Sequence, residues 1–325
     1  MDHRLLLALF VVGIARAAGP VPLELEAKIS LGNIHGRIDH MAFDSARSRL
    51  YVAELGNDSI GVVDLKERKT LRTLEGLNGP QGIGYAASTD TLYVANAGDG
   101  TVRVYQGADL TPAGQIQLGD DADNVRVDNS EHRIYVGYGD GGLAVIDTTT
   151  RRKITDLSLQ AHPESFQLDP SNGHVYVNLP DSQQIAVFDR TSGQQLAGWT
   201  TQGLASNYPM TLDSVHGQVI VVFRHPAAVG IIDSSSGKLL SSSQTCGDAD
   251  DMFLDAKRDR LYVSCGEGFI EVFAHQGNEC RSLGRMPTAS GARTSFYSSS
   301  IDRLLLAVRA PWRGQASIWV YRPTP

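Results

Sequence analysis

Asp39, Asp123, Glu164, Asp250 and Arg293 carry chemistry in their spacing, successive members lying 84, 41, 86 and 43 residues apart. Intervals close to multiples of one number mean that one place in a repeated unit recurs along the chain. The full set at that place is Asp39, Gln81, Asp123, Glu164, Tyr208, Asp250 and Arg293. The next place holds His40, Gly82, Asn124, Ser165, Pro209, Asp251 and Thr294. The first set is hydrogen-bonding in every unit, yet its residue type changes, as a site for an asymmetric ligand requires. Carboxylates brought together repel, so they call for a cation, a shared proton or a guanidinium such as that of Arg293. Asp123, Glu164 and Asp250 form an oxygen-rich set that suits Ca²⁺ or Mg²⁺. The competing reading is that all of these are solvated loop ends that cap strands.

The unit announces itself in a short phrase. It runs Leu50-Tyr51-Val52, Leu92-Tyr93-Val94, Ile134-Tyr135-Val136, Val175-Tyr176-Val177 and Leu261-Tyr262-Val263, with looser copies at Val219-Ile220-Val221 and Leu304-Leu305-Leu306. Copies are 41 to 44 residues apart. Nothing between them has a helical period, which excludes solenoids built on helix pairs. Each repeat reads as four strands. In the first, these are Asp39 to Phe43, Arg49 to Ala53, Ile60 to Asp64 and Thr70 to Leu74, strands A to D, separated by polar turns. Asp44 and its copies Asp128, Asp169, Asp213 and Asp255 read as turn residues, since Asp bonds its own backbone. The last repeat supplies only three strands, and Leu23 to Leu31 is the natural donor of the fourth. The expectation is an all-β, seven-bladed β-propeller over residues 18–325, its last blade closed by the N-terminal strand. Strand A is then innermost, and the place that holds Asp39 and its equivalents rings the mouth of the central channel. Glu54, Asn96, Arg224, His225 and Arg309 are further candidates for this face.

The chain ends and composition narrow the function. Arg4, the apolar stretch Leu5 to Ile14 and Ala15-Arg16-Ala17 read as a signal peptide over residues 1–17, cleaved before Ala18. Cleavage takes the formal charge from -7 to -8 and leaves no membrane span; an anchor left uncleaved is the alternative. The expected location is the periplasm or beyond. An acidic balance without a Lys/Arg run argues against nucleic acid as a partner. Asp121-Ala122-Asp123-Asn124 lacks the third oxygen and the Gly of a calcium loop, and Gly137 to Gly142 leads into a strand, unlike a phosphate loop. There is no Cys-x-x-Cys-His for haem and no Gly-x-Ser-x-Gly elbow.

With these residues in hand, the repeats resemble the YVTN-type propellers, and the mature chain resembles the YncE-like exported propellers. The phrases that carry the resemblance are Arg37-Ile38-Asp39-His40, Asp123-Asn124, His162-Pro163-Glu164-Ser165-Phe166, Asp248-Ala249-Asp250-Asp251 and Gly291-Ala292-Arg293-Thr294. The resemblance implies export and a seven-bladed ring. It names no catalytic residue.

Two functions remain. One is a monomeric binding module that presents its mouth to a small molecule or an envelope protein through Asp39, His40, Gln81, Asp123, Asn124, Glu164, Tyr208, Asp250, Asp251 and Arg293. The other is a metal-assisted hydrolase or lyase, lactonase-like, with the cation on Asp123, Glu164 and Asp250, His40 as base and Arg293 at an oxyanion. Cys246 precedes strand A of the sixth repeat and Cys265 ends its strand B, so a disulfide between them is expected, with Cys280 reduced. Three buried free thiols are the alternative.

Overall fold

The computed structural model describes residues 21–325, so the expected signal peptide lies outside the described residues. Among these, twenty-eight strands form seven four-stranded antiparallel sheets. The fold is a seven-bladed β-propeller. The inner strands of blades 1 to 7 are Met41–Asp44, Pro80–Ala86, Val125–Asp128, Phe166–Asp169, Ala205–Asp213, Ala249–Asp255 and Ser295–Ser298. Each packs on the next, and the seventh returns to the first.

The repeated phrase recurs because both faces of strand B are buried. Leu50 and Val52 pack towards blade 7, while Tyr51 and Ala53 pack towards blade 2. Seven apolar clusters result among the described residues, one at each blade–blade interface. The tyrosines of the phrase are buried there. The Tyr93 and Tyr176 hydroxyls donate to the Thr148 and Ser234 carbonyls of the following blade. Outer strands such as Lys69–Leu74 bury little, as expected of blade rims.

The turn aspartates do what their spacing predicts and more. Asp44 accepts from the Arg47 amide, Asp128 from those of Ser130 and Glu131, and Asp213 from that of His216. They also clasp neighbouring blades. Arg47 joins Asp44 to Asp90, Arg190 reaches Asp128, His275 reaches Asp213, and Arg258 joins Asp255 to Asp302.

The last blade is closed by the N-terminal strand. Leu23–Ser30 pairs antiparallel with Ser317–Pro323, from Leu23 opposite Pro323 to Ser30 opposite Ser317. Cys246 and Cys265 form a disulfide with Cα atoms 5.9 Å apart, and Cys280 is free and buried. Among the described residues no helix is long and apolar enough to cross a membrane.

Candidate functional site

Strand A of blade 1 begins at Met41, two residues later than its sequence pattern suggests. The two residues before it still pair with strand B. The Asp39 amide donates to the Ala53 carbonyl, and the Ala53 amide donates to the His40 carbonyl, so two residues face one. That arrangement is a β-bulge, which re-aims side chains. Blade 3 repeats it with Asp123 and Asn124 against Gly137, and blade 4 with Glu164 and Ser165 against Asn178. In blades 2, 5 and 6 the register shifts at the same place. In blades 1, 3, 4, 5 and 6 the residues at this place reach the channel mouth.

The turned side chains meet. Arg37, Asp39, His40, Asp123, Asn124, Glu164, Ser165, Tyr208, Asp250 and Asp251 line one pocket with about 30 Å³ of free space. His40 Nε2 lies 3.7 Å from Asp39 Oδ1 and 3.9 Å from Asp123 Oδ1, bridging blades 1 and 3. Arg37 Nη2 makes an ion pair of 2.7 Å with Asp39 Oδ2. His162 Nε2 stands 4.0 Å from Asp123 Oδ2, too far for a hydrogen bond but close enough for charge attraction, while its Nδ1–H donates to the Gly139 carbonyl at 2.7 Å. Asp250 is held on both oxygens, by Arg224 Nη2 at 2.6 Å and Arg293 Nε at 3.1 Å. Arg293 also pairs with Asp248, and the Arg224 guanidinium lies 3.7 Å over the Tyr208 ring.

Burial and crowding divide these groups. Burial first, then the charges of Asp123 and Asp250, push the Glu164 carboxyl up to about 7, with His162 opposing. Asp251 is pushed up to about 6, again by burial before the neighbouring Asp250, although the Ser295 amide donates to it at 2.7 Å. Asp39 is raised by burial too. Asp123 goes the other way, because His162, His40 and Arg37 outweigh its burial. His162 rises to about 9 through Asp123. Burial opposes the charge on His40, but Asp39, Asp251 and Asp123 together raise it.

Eight of the ten residues expected at the mouth therefore line this pocket. Arg293 sits beside it, tied to Asp250. Gln81 does not line it: a Cβ on its neighbour Gly82 would stand 1.8 Å from the Asp123 carbonyl oxygen, so blade 2 presents backbone to blade 3 here. Glu54 and Asn96 are fully buried within their blades, where Glu54 accepts from the Ser59 hydroxyl and Asn96 donates to backbone. Sequence reasoning missed the roles of Arg37 and His162. Both stand in the quoted phrases, one before Asp39 by two residues and the other before Glu164 by two, on the stretch leading into the bulge. No three His, Cys, Asp or Glu side chains are grouped closely enough to hold a metal ion among the described residues, and Asp250 is taken up by arginines.

No protein-family model matches the chain. It is 21% identical over 211 residues to uncharacterized protein YncE of Salmonella typhimurium and, over the same length, to that of Salmonella typhi. The match covers 62% of this chain and 58% of each relative's length. The chain is a propeller similar to YncE. Among solved structures, Kuenenia stuttgartiensis hydrazine synthase superposes with a TM-score of 0.74 at 16% identity, over 86% of this chain and 93% of that one. At that identity the likeness is one of fold alone.

Proposed function

We propose that this chain is an exported propeller module whose channel mouth binds the cationic group of a small ligand. The observation that carries the reading is Asp123 Oδ1, a buried carboxylate oxygen without a hydrogen-bond donor, in a pocket where burial and then the charge of Asp123 push Glu164 up to about 7. A buried anionic oxygen left without a donor is costly, and a bound ammonium supplies the donor. The free space suits one such head group. A cation there also relieves repulsion between Asp39, Asp123 and Glu164. Export is supported by the N-terminal apolar segment and by the Cys246–Cys265 disulfide, which belongs to an oxidising compartment. The three carboxylates around His40 favour its imidazolium, which disfavours its use as a hydrolytic base.

Methylammonium, titrated by calorimetry, tests the reading. Binding is expected to be tighter at pH 8 than at pH 6, because Glu164 ionises between them, and to be lost in Asp123→Asn with Glu164→Gln. Absence of binding, or equal binding by the double variant, overturns it. Displacement of methylammonium by Ca²⁺ would assign the pocket to a metal instead.

A further inference from the structure

Below the mouth the channel opens into a second cavity of about 360 Å³. Its walls are the inner strands, and it shares His40, Ser165 and Asp251 with the mouth. One register position lines it in every blade: the residue opposite the tyrosine of the repeated phrase, or its equivalent. Blades 3, 4 and 5 place Arg126, Gln167 and Thr211 there. Blades 6 and 7 place Phe253 and Phe296, and blades 1 and 2 place only Ala42 and Gly84. A pseudo-symmetric ring has thus become two-sided, with a polar arc facing an aromatic one.

Arg126 is the telling member. Its guanidinium meets only neutral acceptors: Asn124 Oδ1 at 3.3 Å, the Val125 carbonyl at 3.0 Å and the Ser165 hydroxyl at 3.4 Å. Arg37, Arg224 and Arg293, at the same end of the ring, each hold a carboxylate. Among the described residues no carboxylate makes an ion pair with Arg126; burial works against its charge, and Asp251 and Asp123 support it only from farther off. An arginine is the side chain suited to bidentate capture of a carboxylate. Across the channel, Phe253 and Phe296 pack edge to face with centroids 6.0 Å apart, and Met41, Met252 and Phe43 extend the apolar wall. Of these, Phe43, Phe253 and Phe296 are only partly covered by the protein, whereas Met41 and Met252 are buried. The cavity volume falls in the range of about 300–1,000 Å³ common for small-molecule sites.

We infer that the channel is a binding site for a small organic carboxylate with an aromatic or compact apolar body, its carboxylate on Arg126 and its body against Phe253 and Phe296. Gln167 supplies the next polar contact, since its amide already donates to the Met210 carbonyl at 2.7 Å and is fixed in place. The site does not rest on a cation at the mouth, and it is read with a different probe.

The probe is phenylacetate, titrated into the whole mature protein by calorimetry, with phenylacetamide as its neutral counterpart. Phenylacetate should bind, and phenylacetamide at least about tenfold more weakly, the ratio expected for losing one charged hydrogen-bonding partner. Arg126→Gln should weaken phenylacetate by at least about tenfold, and Arg126→Lys by less. Phe253→Ala should weaken phenylacetate and leave acetate unaffected. If Arg126→Gln fails to fold, the ratio between phenylacetate and phenylacetamide on the wild-type protein decides. No binding of phenylacetate up to about 10 mM, or equal affinity for the acid and the amide, overturns the inference. Methylammonium binding without phenylacetate binding leaves the mouth standing and ends the channel site; the reverse result ends the mouth reading alone.

Discussion

At the scale of single residues, the mouth separates two carboxylates that look equivalent in sequence. Asp123 is held ionised by His162, His40 and Arg37, whereas Glu164 is pushed up to about 7 by burial and by Asp123. Their removal should therefore act in opposite directions. Folded Glu164 keeps a proton that the unfolded chain releases near 4.5, so its effect on stability worsens as pH rises from there to about 7. Glu164→Gln should match the wild type at pH 5 and exceed it at pH 8, by about 1–3 kcal/mol at most; thermal unfolding at the two pH values reads the difference, and an equal change at both would refute the assignment. His162 behaves with the same sign higher up. Its raised value means that its contribution is complete below 6.5 and is lost as pH climbs to about 9. Asp123→Asn should lower the His162 value towards 6.5, seen in the titration of its ring protons by NMR, and should destabilise the protein at pH 7. An unmoved His162 titration would mean that Asp121, 3.7 Å from its Nδ1, carries the charge attraction instead.

At the scale of elements, the turns and bulges do the positioning. The turn aspartates were legible as turn residues from their recurrence alone. Their second job was not, because Arg47 and Arg258 find Asp90 and Asp302 on the next blade, a partnership no local pattern encodes. Arg258 is mostly covered and bonds both oxygens of Asp302 as well as Asp255. Arg258→Ala should cost about 1–3 kcal/mol, since it leaves buried Asp255 without its cation while Asp302 keeps Lys257; denaturant unfolding measures it, and a loss below about 0.5 kcal/mol would mark the clasp as no better than a surface pair. The mouth shows the same limit. The repeat alignment placed Asp39, Asp123, Glu164 and Asp250 on one ring, but the β-bulge that aims them depends on backbone pairing. The ring of Arg126, Gln167, Thr211, Phe253 and Phe296 was equally present in that alignment, three residues further along the chain from the Asp39 position. Inside strand A such residues read as ordinary strand composition until the channel gives them a common space. The disulfide belongs to this scale too. Denatured, unreduced protein should titrate one thiol, Cys280, and three would remove the Cys246–Cys265 bridge.

At the scale of the whole molecule, a propeller trades a single large core for interfaces between neighbours, so its weak point is the seam where the chain ends meet. The seam is legible in sequence as a three-stranded last repeat and an orphan strand ahead of the first. The structure adds how firmly it is sewn. Leu23 enters the cluster between blades 6 and 7, whereas Ile29 and Leu31 enter the one between blades 7 and 1. Glu26 binds Arg68 of blade 1 and Arg303 of blade 7, and the Thr70 hydroxyl of blade 1 donates to the Ser30 carbonyl. Removing residues 18–31 takes away the burial of three apolar side chains, Leu23, Ile29 and Leu31, at about 1.5–3 kcal/mol each. That is comparable to the whole stability of a typical domain, about 5–15 kcal/mol. It also exposes the Ser317–Pro323 edge, which is then free to pair with another chain. A protein beginning at Gly32 should lose cooperative unfolding and associate on size-exclusion chromatography. A synthetic peptide of residues 21–31 should restore the monomer by adding itself as the missing strand. The rescue separates loss of the seam from general damage, because a chain misfolded elsewhere has no vacant edge of this register to fill. A truncated protein that remains monomeric with an unchanged melting temperature would show that the seam does not hold the ring closed.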